Sequence, residues 1–343
     1  MSGPSDRYRK LARFAGVGED GVAALGRSTA VVLGCGALGA LAAEQLVRSG
    51  VGRVRIIDRD FVDWSNLQRQ VLFTESDAAA GLPKAVAASE SLRRINSSVT
   101  LEAEVADFSP NTVGRLLEGA SVVVDGTDNL ESRYLLNEAC LDRDLPWAYG
   151  GCVGGSGMAC LFTPGGPCLR CLFPEVPPAG EIATCDTSGV VASAAHAVAS
   201  LQTSLAIRHL VGDGGPVAGR LAVLDVWGLS FRTVSVADSG PCPTCGDGER
   251  PYQTGAAGNR ADVLCGRDSV QLSPAAGVPP PDMQALESRL SEGGEVTANP
   301  YLLRWMPVEG GLALTVFRDG RCLVHGTTDP AAARTFLARS VGG

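Results

Sequence analysis

The chain is predicted to be an α/β protein: a mostly parallel sheet that continues into antiparallel strands, followed by a small C-terminal α+β domain. Three observations predict this. An apolar run, Val31-Val32-Leu33, enters a glycine turn, Gly34-Cys35-Gly36-Ala37-Leu38-Gly39, then a helix-forming run and a second apolar strand ending at Asp58. Helical and strand stretches then alternate as far as Ser121–Asp125, a continuous apolar run of the kind found inside parallel sheets. Past Trp147 the pattern changes to glycine-interrupted apolar runs, as in antiparallel strands.

In chain order, Asp6 to Leu25 reads as an N-terminal helical arm carrying the basic run Arg7-Tyr8-Arg9-Lys10. The glycine turn follows. Gly34 permits the tight turn, Gly36 lets a phosphate approach the backbone, and Gly39 lets helix and strand pack closely. Free N–H groups and the positive end of the helix dipole would face that phosphate. Asp58 lies about 20 residues beyond Gly39, where an acceptor for a ribose hydroxyl is expected. This Rossmann-like crossover by itself admits NAD, and an NAD-dependent oxidoreductase is the alternative reading. What comes next argues for a triphosphate. Asp60 and the segment Trp64-Ser65-Asn66-Leu67-Gln68-Arg69-Gln70 bring amides and an arginine to the same end of the sheet, and Lys84 follows in Gly81-Leu82-Pro83-Lys84. Arg69 is a forked donor and Lys84 a point charge, a combination suited to a string of phosphates. Taken singly, each would read as a surface salt-bridge former.

A helix is predicted near Pro83 to Ile95, a strand near Val99 to Val105, a helix near Asn111 to Leu117 and a strand over Ser121 to Asp125. Asp125-Gly126-Thr127-Asp128-Asn129 falls between that strand and the next helix. Ligands of open α/β sheets lie outside the carboxyl ends of the strands, so Asp58, Asp60 and Asp128 are expected to converge on one crevice. Asp128 reads either as a helix N-cap or as a magnesium ligand, since one carboxylate plus phosphate oxygens is a normal magnesium site.

In the second half, strands are predicted around Tyr149 to Gly157 and Met158 to Phe162. A small-residue helix is predicted near Ser188 to Leu210, and strands over Leu221 to Val226 and Phe231 to Val236. Cys168-Leu169-Arg170-Cys171 and Cys242-Pro243-Thr244-Cys245 are two CxxC pairs, each following Pro and Gly. Four such thiolates make a closed tetrahedral zinc site, hence a structural one. Cys185, ahead of the small-residue helix, reads either as a reactive thiol activated by a helix N-terminus or as an inert buried cysteine. Cys35, Cys140, Cys152 and Cys160 sit in apolar patterns and read as core, and His196 as a packed or surface histidine.

These motifs carry a resemblance. GCGALG, the DRD turn, SNLQRQ, GLPK and Asp125–Asn129 are similar, in order and spacing over residues 7 to 246, to the ThiF/MoeB family, bacterial relatives of ubiquitin-activating enzymes. The resemblance implies an adenylyltransferase. It would use ATP to adenylate the C-terminal glycine carboxylate of a small ubiquitin-like or sulfur-carrier protein ending in Gly-Gly, releasing pyrophosphate. It implies Asp58 or Asp60 on the ribose, Asn66, Arg69 and Lys84 on the phosphates, and Asp128 on magnesium, with Gln68 and Asn129 carried in the same motifs. The implied reactive cysteine is Cys185, which would accept the activated group. The family opens with Arg-Tyr-x-Arg-Gln, whose second arginine reaches a neighbouring subunit's ATP. Here the run is Arg7-Tyr8-Arg9-Lys10-Leu11, so Lys10 takes that position, or Arg9 substitutes. Lysine lacks the planar fork. A cation supplied from a neighbour would make the working unit a homodimer. Adenylation of a non-protein carboxylate is the related alternative.

The expected division is an adenylation domain over 1–250, containing the four-cysteine zinc site, and a small α+β domain over 261–343, with Gly246 to Arg260 as linker. In the latter, a helix near Met283 to Leu290 is expected, then strands near Tyr301 to Trp305, Leu312 to Phe317 and Cys322 to Val324. An Asp319-Gly320 hairpin turn and a last helix over Asp329 to Ala338 complete it. The terminal Gly342-Gly343 reads either as a carrier-like tail or as a frayed helix end. With 343 residues, 45% hydrophobic and 19% charged, the composition is that of a soluble globular protein. The formal net charge of −8 argues against nucleic acid as the main partner. No run is apolar enough to span a bilayer, so no membrane partner and a cytoplasmic location are expected. Eleven cysteines in such a chain suggest metal binding or packing rather than a disulfide framework.

Overall fold

The computed structural model describes residues 6–174, 185–236, 242–256, 262–264, 269–272, 274, 279–308 and 310–341. The chain divides into two units, Met1–Ala257 and Gly258–Gly343.

The N-terminal arm is broken rather than continuous. Helix α1 spans Arg9–Ala12 and α2 Gly18–Arg27. The break falls where Gly18 takes a φ of 66°, outside the right-handed helical region. Strand β1, Thr29–Leu33, is buried from Ala30 onward on both faces, as its unbroken apolar run requires. Helix α3, Ala37–Ser49, ends in a left-handed Gly50, and β2 covers Arg53–Ile57. Then come α4 (Glu75–Ala79), α5 (Lys84–Ile95), β3 (Thr100–Glu104), α6 (Val113–Leu116), β4 (Val122–Asp125) and α7 (Leu130–Leu141). Helix α6 starts later than expected because Thr112 Oγ1 is engaged with the Asp107 carbonyl at 2.7 Å, which closes a turn ahead of it.

Strands β5 (Trp147–Val153) and β6 (Ser156–Phe162) follow, then short α8 (Leu169–Leu172) and α9 (Cys185–Ser188), and the long α10 (Ala192–Leu210). The expected helix from Ser188 is interrupted at Gly189, whose φ is 70°. Strands β7 (Arg220–Asp225) and β8 (Ser230–Ser235) complete an eight-stranded sheet of order β3-β2-β1-β4-β5-β6-β7-β8. The ladders from β3 to β5 are parallel and those from β5 to β8 antiparallel. The glycines of β5 and β6 make room for α10. A Cβ on Gly150 would lie 2.6 Å from the Gln202 side chain, and one on Gly157 would lie 2.4 Å from Val198. The two faces of the sheet carry separate cores. Val32, Val54 and Val124 pack with Ala43, Leu46 and Leu92 on one, and Val31, Val123 and Leu33 with Leu116, Leu136 and Trp147 on the other.

Residues 246–256, expected to be linker, pack onto α7 instead. Tyr252 stacks on Tyr134 at 5.2 Å between ring centroids, and the Tyr252 and Gln253 N–H groups donate to the buried Glu138 carboxylate. Arg250 Nε pairs with Asp142 at 2.7 Å. A polar, glycine-rich stretch looks like a linker in one dimension, but its backbone donors find acceptors on a neighbouring helix.

In the second unit, β9 (Asp262–Leu264) and β10 (Ser269–Leu272) precede α11 (Met283–Ser291). Then come β11 (Gly294–Ala298), β12 (Leu302–Pro307), β13 (Ala313–Phe317), β14 (Cys322–His325) and α12 (Pro330–Val341). The sheet order is β11-β12-β13-β14-β10-β9, with antiparallel pairs throughout. Three of these strands, β9, β10 and β11, were not expected: they are short, and β11 is mostly exposed and so carries no apolar alternation. Gly342 and Gly343 lie outside the described residues.

Candidate functional site

The site begins where the turns after β1 and β4 touch. Gly34 has a φ of 83°, and a Cβ there would lie 2.7 Å from the Gly126 carbonyl oxygen. A Cβ on Gly126 would lie 2.4 Å from the Gly34 carbonyl oxygen, and one on Gly39 would lie 1.8 Å from the same atom. Protein sterics alone therefore require these three glycines. Gly36 is different: its hypothetical Cβ meets no atom closer than 3.9 Å, and its φ of −82° is open to any residue. The space above Gly36, at the N-terminus of α3, is the one a phosphate would use.

Beneath the loop lies Asp58, at the end of β2. Its Oδ2 accepts from the Cys35 N–H at 2.6 Å and its Oδ1 from the Asp60 N–H at 2.7 Å. Burial raises the Asp58 carboxyl above its ordinary range, and the Lys84 ammonium and the two N–H donors work against that rise. Lys84 is only 3% exposed, and its Nζ lies 3.2 Å from Asp60 Oδ2. Its N–H donates to the Asp60 carbonyl at 2.8 Å, so the start of α5 is tied to the turn after β2. Asp58, Asp60 and Lys84 are thus brought together under the glycine loop. Cys35 is fully buried and burial pushes its thiol far up, consistent with a small core residue and not a reactive one.

The SNLQRQ segment forms a capped turn beside this cluster. Asp63 and Asn66 make a reciprocal capping box, and Asn66 is buried, its Oδ1 accepting from the Asp63 N–H at 3.1 Å. Arg69 is half-buried, with Nη1 on the Ser65 carbonyl at 2.7 Å. Gln68 points to solvent. Gln70, which sequence reasoning passed over, is 3% exposed, its Oε1 has no partner among the described residues, and its Nε2 lies 4.0 Å from the position a Gly36 Cβ would take.

Asp128 is exposed on the turn after β4. That turn is held by a residue the sequence did not flag. Arg133, one turn into α7, places Nε 3.1 Å from Asp125 Oδ2 and Nη2 on the Thr127 carbonyl at 2.7 Å and the Gly150 carbonyl at 3.0 Å. Its guanidinium sits 5.2 Å from the Tyr149 ring centroid. Thr127 donates twice to Asp125 Oδ1, at 2.9 and 2.6 Å. Burial raises the Asp125 carboxyl, and Arg133 and Thr127 pull it back. Burial also disfavours the charged Arg133, but Asp125, Tyr149 and Asp128 outweigh it and keep the guanidinium a cation. Asn129 caps α7 through the Ser132 N–H at 2.8 Å. Buried Gln202 of α10 donates to the carbonyls of Asp125 and Ala148 at 2.6 and 2.7 Å, fastening β4 to β5.

Lys10 and Arg9 are not brought to this crevice. Tyr8 lies against Gly50, at the far end of α3, and its hydroxyl accepts from Asn96 at 2.8 Å. The 13-residue α3 puts that end about 20 Å from the glycine loop. Both Arg9 and Lys10 are exposed and make no hydrogen bond or ion pair among the described residues. Cys185 opens α9, but its side chain, like residues 175–184, lies outside the described residues.

Away from the crevice, the sulfurs of Cys168, Cys171, Cys242 and Cys245 all lie within 4.8 Å of one another. The Cys168–Cys242, Cys168–Cys171 and Cys171–Cys245 separations are 3.8, 4.0 and 3.5 Å. A tetrahedral Zn–S length of about 2.3 Å demands sulfur–sulfur edges of about 3.8 Å, so the donor set fits a zinc ion. The spacing is far too long for a disulfide. The cluster joins the α8 turn to the segment that straps across α7, and the Leu169 N–H is held by Asn137 of α7 at 2.9 Å.

A sequence model of the ThiF family matches residues 8–245. The chain is 40% identical over 341 residues to the sulfur carrier protein ThiS adenylyltransferase of Bacillus subtilis, covering 98% of this chain and 99% of that protein. It is 38% identical to the SAMP-activating enzyme E1 of Haloferax volcanii, over 71% of this chain and 89% of that one. Among solved structures, E. coli MccB shares the fold with a TM-score of 0.62 at 22% identity, over 70% of this chain and 75% of that one.

Proposed function

Because this chain belongs to the ThiF family, we propose that its crevice is where ATP adenylates the C-terminal glycine carboxylate of a sulfur-carrier or ubiquitin-like protein. The enzyme is an adenylyltransferase. The observation that carries the site assignment is the meeting of four features at one end of the parallel strands. These are an unobstructed Gly36, the Asp58–Asp60–Lys84 cluster, the Arg69 turn and the Asp128 turn.

The carrier's terminal carboxylate oxygen attacks the α-phosphorus, the bond to the bridging oxygen breaks, and pyrophosphate leaves. The residues here supply position and charge rather than a covalent partner. Lys84 and Arg69 neutralise phosphate oxygens, Arg69 by swinging off the Ser65 carbonyl. Asp58 fixes the loop N–H groups, and its remaining lone pairs, or those of Asp60, accept from the ribose. Asp128, held out by the Arg133 lock, would hold magnesium, which supplies charge neutralisation on the phosphates. Asn66 and Asn129 act chiefly by shaping the two turns, since their carbonyl oxygens cap backbone N–H groups.

The distance of α1 from its own crevice supports Lys10 or Arg9 acting on a second copy's ATP, hence a homodimer. Trp227, Leu229 and Phe231, exposed around the β7–β8 hairpin, offer the carrier an apolar seat. A sulfur nucleophile, the Cys185 thiolate or an external donor, then attacks the carboxyl carbon of the acyl-adenylate; the C–S bond forms, the C–O bond to the phosphate breaks, and AMP leaves. The four cysteines hold zinc as a structural staple. Among the described residues no helix is long and apolar enough to cross a membrane; the cytoplasm is the proposed location.

The test is ATP–pyrophosphate exchange with candidate small proteins ending in Gly-Gly. Exchange that requires the carrier and disappears in Asp128→Ala is the expected result. Binding of ATP without exchange on any Gly-Gly protein would point to a different carboxylate. Failure to bind ATP would end the adenylation assignment of this crevice.

A further inference from the structure

The peptide between Arg69 and Gln70 is gripped on both sides. Its N–H, on Gln70, donates to the Asn66 carbonyl at 3.0 Å. Its carbonyl, on Arg69, lies 3.2 Å from Nε2 of His196. A carbonyl oxygen only accepts, so Nε2 carries the hydrogen in this contact. The peptide is planar, so a contact at each of its two polar atoms fixes ψ of Arg69 and φ of Gln70, the dihedrals that set the course of the backbone carrying both side chains. On one side is Arg69, on the other Gln70, tucked against Gly36.

His196 belongs to α10, and α10 is itself anchored beside the nucleotide loop. Four residues on, and therefore on the same face, Ser200 Oγ accepts from Gln45 Nε2 of α3 at 2.8 Å. Six residues on, Gln202 fastens the end of β4 to the start of β5. The histidine thus connects the Arg69 turn to the helix that also ties β4 to β5.

We infer that His196 is a positioning residue for nucleotide binding: by holding the Arg69 carbonyl it sets the direction in which Arg69 and Gln70 meet the phosphates. The inference rests on the reading that Arg69 binds those phosphates. Asn66 fixes only the N–H side, and that bond is within the same turn. The contact from α10 is what references the turn to the rest of the crevice.

The experiment uses the full chain and a fluorescent ATP analogue titrated in the presence of magnesium, with His196→Ala, His196→Gln, Arg69→Ala and the Arg69→Ala/His196→Ala double variant. Loss of the donor in His196→Ala should weaken binding about tenfold, the upper end for one hydrogen bond. Glutamine carries an amide N–H near the position of Nε2, and His196→Gln should recover most of the affinity. In the Arg69→Ala background, His196→Ala should cost clearly less than in the unaltered protein, because only its hold on Gln70 is left to lose. Unfolding midpoints measured alongside separate positioning from folding: the Ala and Gln variants should unfold alike. Unchanged affinity in His196→Ala, or the same loss in both backgrounds, overturns the inference and leaves the role of Arg69 standing. Unchanged affinity in Arg69→Ala overturns the phosphate reading and the inference with it.

Discussion

Arg133 and Asp125 form a buried ion pair, 3.1 Å from Nε to Oδ2, and the same guanidinium holds the carbonyls of Thr127 and Gly150. One side chain from α7 thereby sets the turn that presents Asp128. Replacing Arg133 by Met leaves the Asp125 charge buried with only Thr127 as donor. Breaking such a pair by removing one partner costs about 3–5 kcal/mol. Arg133→Met should lower stability by that order in urea denaturation. Arg133→Lys, with one point donor for three acceptors, should unfold less readily than Arg133→Met yet need more magnesium for half-maximal exchange.

Two glycines of the crevice should respond in opposite ways to alanine. At Gly126 the new Cβ would sit 2.4 Å from the Gly34 carbonyl oxygen, so the loops must part and the fold weakens. At Gly36 the space is free and φ is an ordinary −82°, while ψ of −149° lies just beyond the usual extended region. Gly36→Ala should therefore lower the unfolding midpoint much less than Gly126→Ala does, while weakening ATP binding by about tenfold or more, as expected where backbone must approach phosphate closely. Equal loss of stability in both variants would remove Gly36 from the nucleotide site.

Asp58 uses both carboxylate oxygens on backbone N–H groups, of Cys35 and Asp60. Asparagine has one acceptor and turns its NH2 toward the second donor. An unsatisfied buried group costs about 1–3 kcal/mol. In Asp58→Asn, amide hydrogen exchange should therefore quicken at Cys35 or Asp60, and ATP affinity should fall. Protection unchanged at both positions would show that the loop does not depend on this carboxylate.

The purified protein should contain one zinc ion per chain by elemental analysis. Chelation, or Cys242→Ser, should lower the thermal midpoint and first loosen residues 246–256 from α7, read as hydrogen exchange at Tyr252 and Gln253. The readout is independent of catalysis. Metal content unaffected by Cys242→Ser would exclude the four-sulfur site.

Burial lowers the pKa of His209 below its ordinary value of 6.5. The folded protein therefore binds fewer protons than the unfolded chain between the folded value and 6.5, and stability falls as pH drops through that window. The denaturation midpoint should decline on going from pH 7.5 to 5.5, and His209→Gln should flatten that slope. An unchanged slope in the variant would assign the decline to other groups.

Sequence alone was enough for the features whose physics is local. A strand leading into Gly34, Gly36 and Gly39 and then a helix is a short-range pattern, and the structure has it as β1, the loop and α3. The change to glycine-interrupted antiparallel strands after Trp147 was legible for the same reason, as was the spacing within each CxxC pair. The N-terminal arm is helical as expected but comes in two pieces at Gly18, and the first part of the expected linker packs against acceptors on α7, because a positive φ and distant partners override composition. Arg133, Gln202, Gln70 and His196 were invisible as site residues. Each acts through a partner brought close only by the fold: Asp125, the Ala148 carbonyl, Gly36 and the Arg69 carbonyl. Tertiary structure likewise placed α1 at the wrong end of α3 for Lys10 to serve its own crevice. Periodicity and turn chemistry are written within a few residues of chain. A buried charge, a shared carbonyl or an empty space above a glycine depends on atoms from distant segments, and no local pattern specifies which of them will meet.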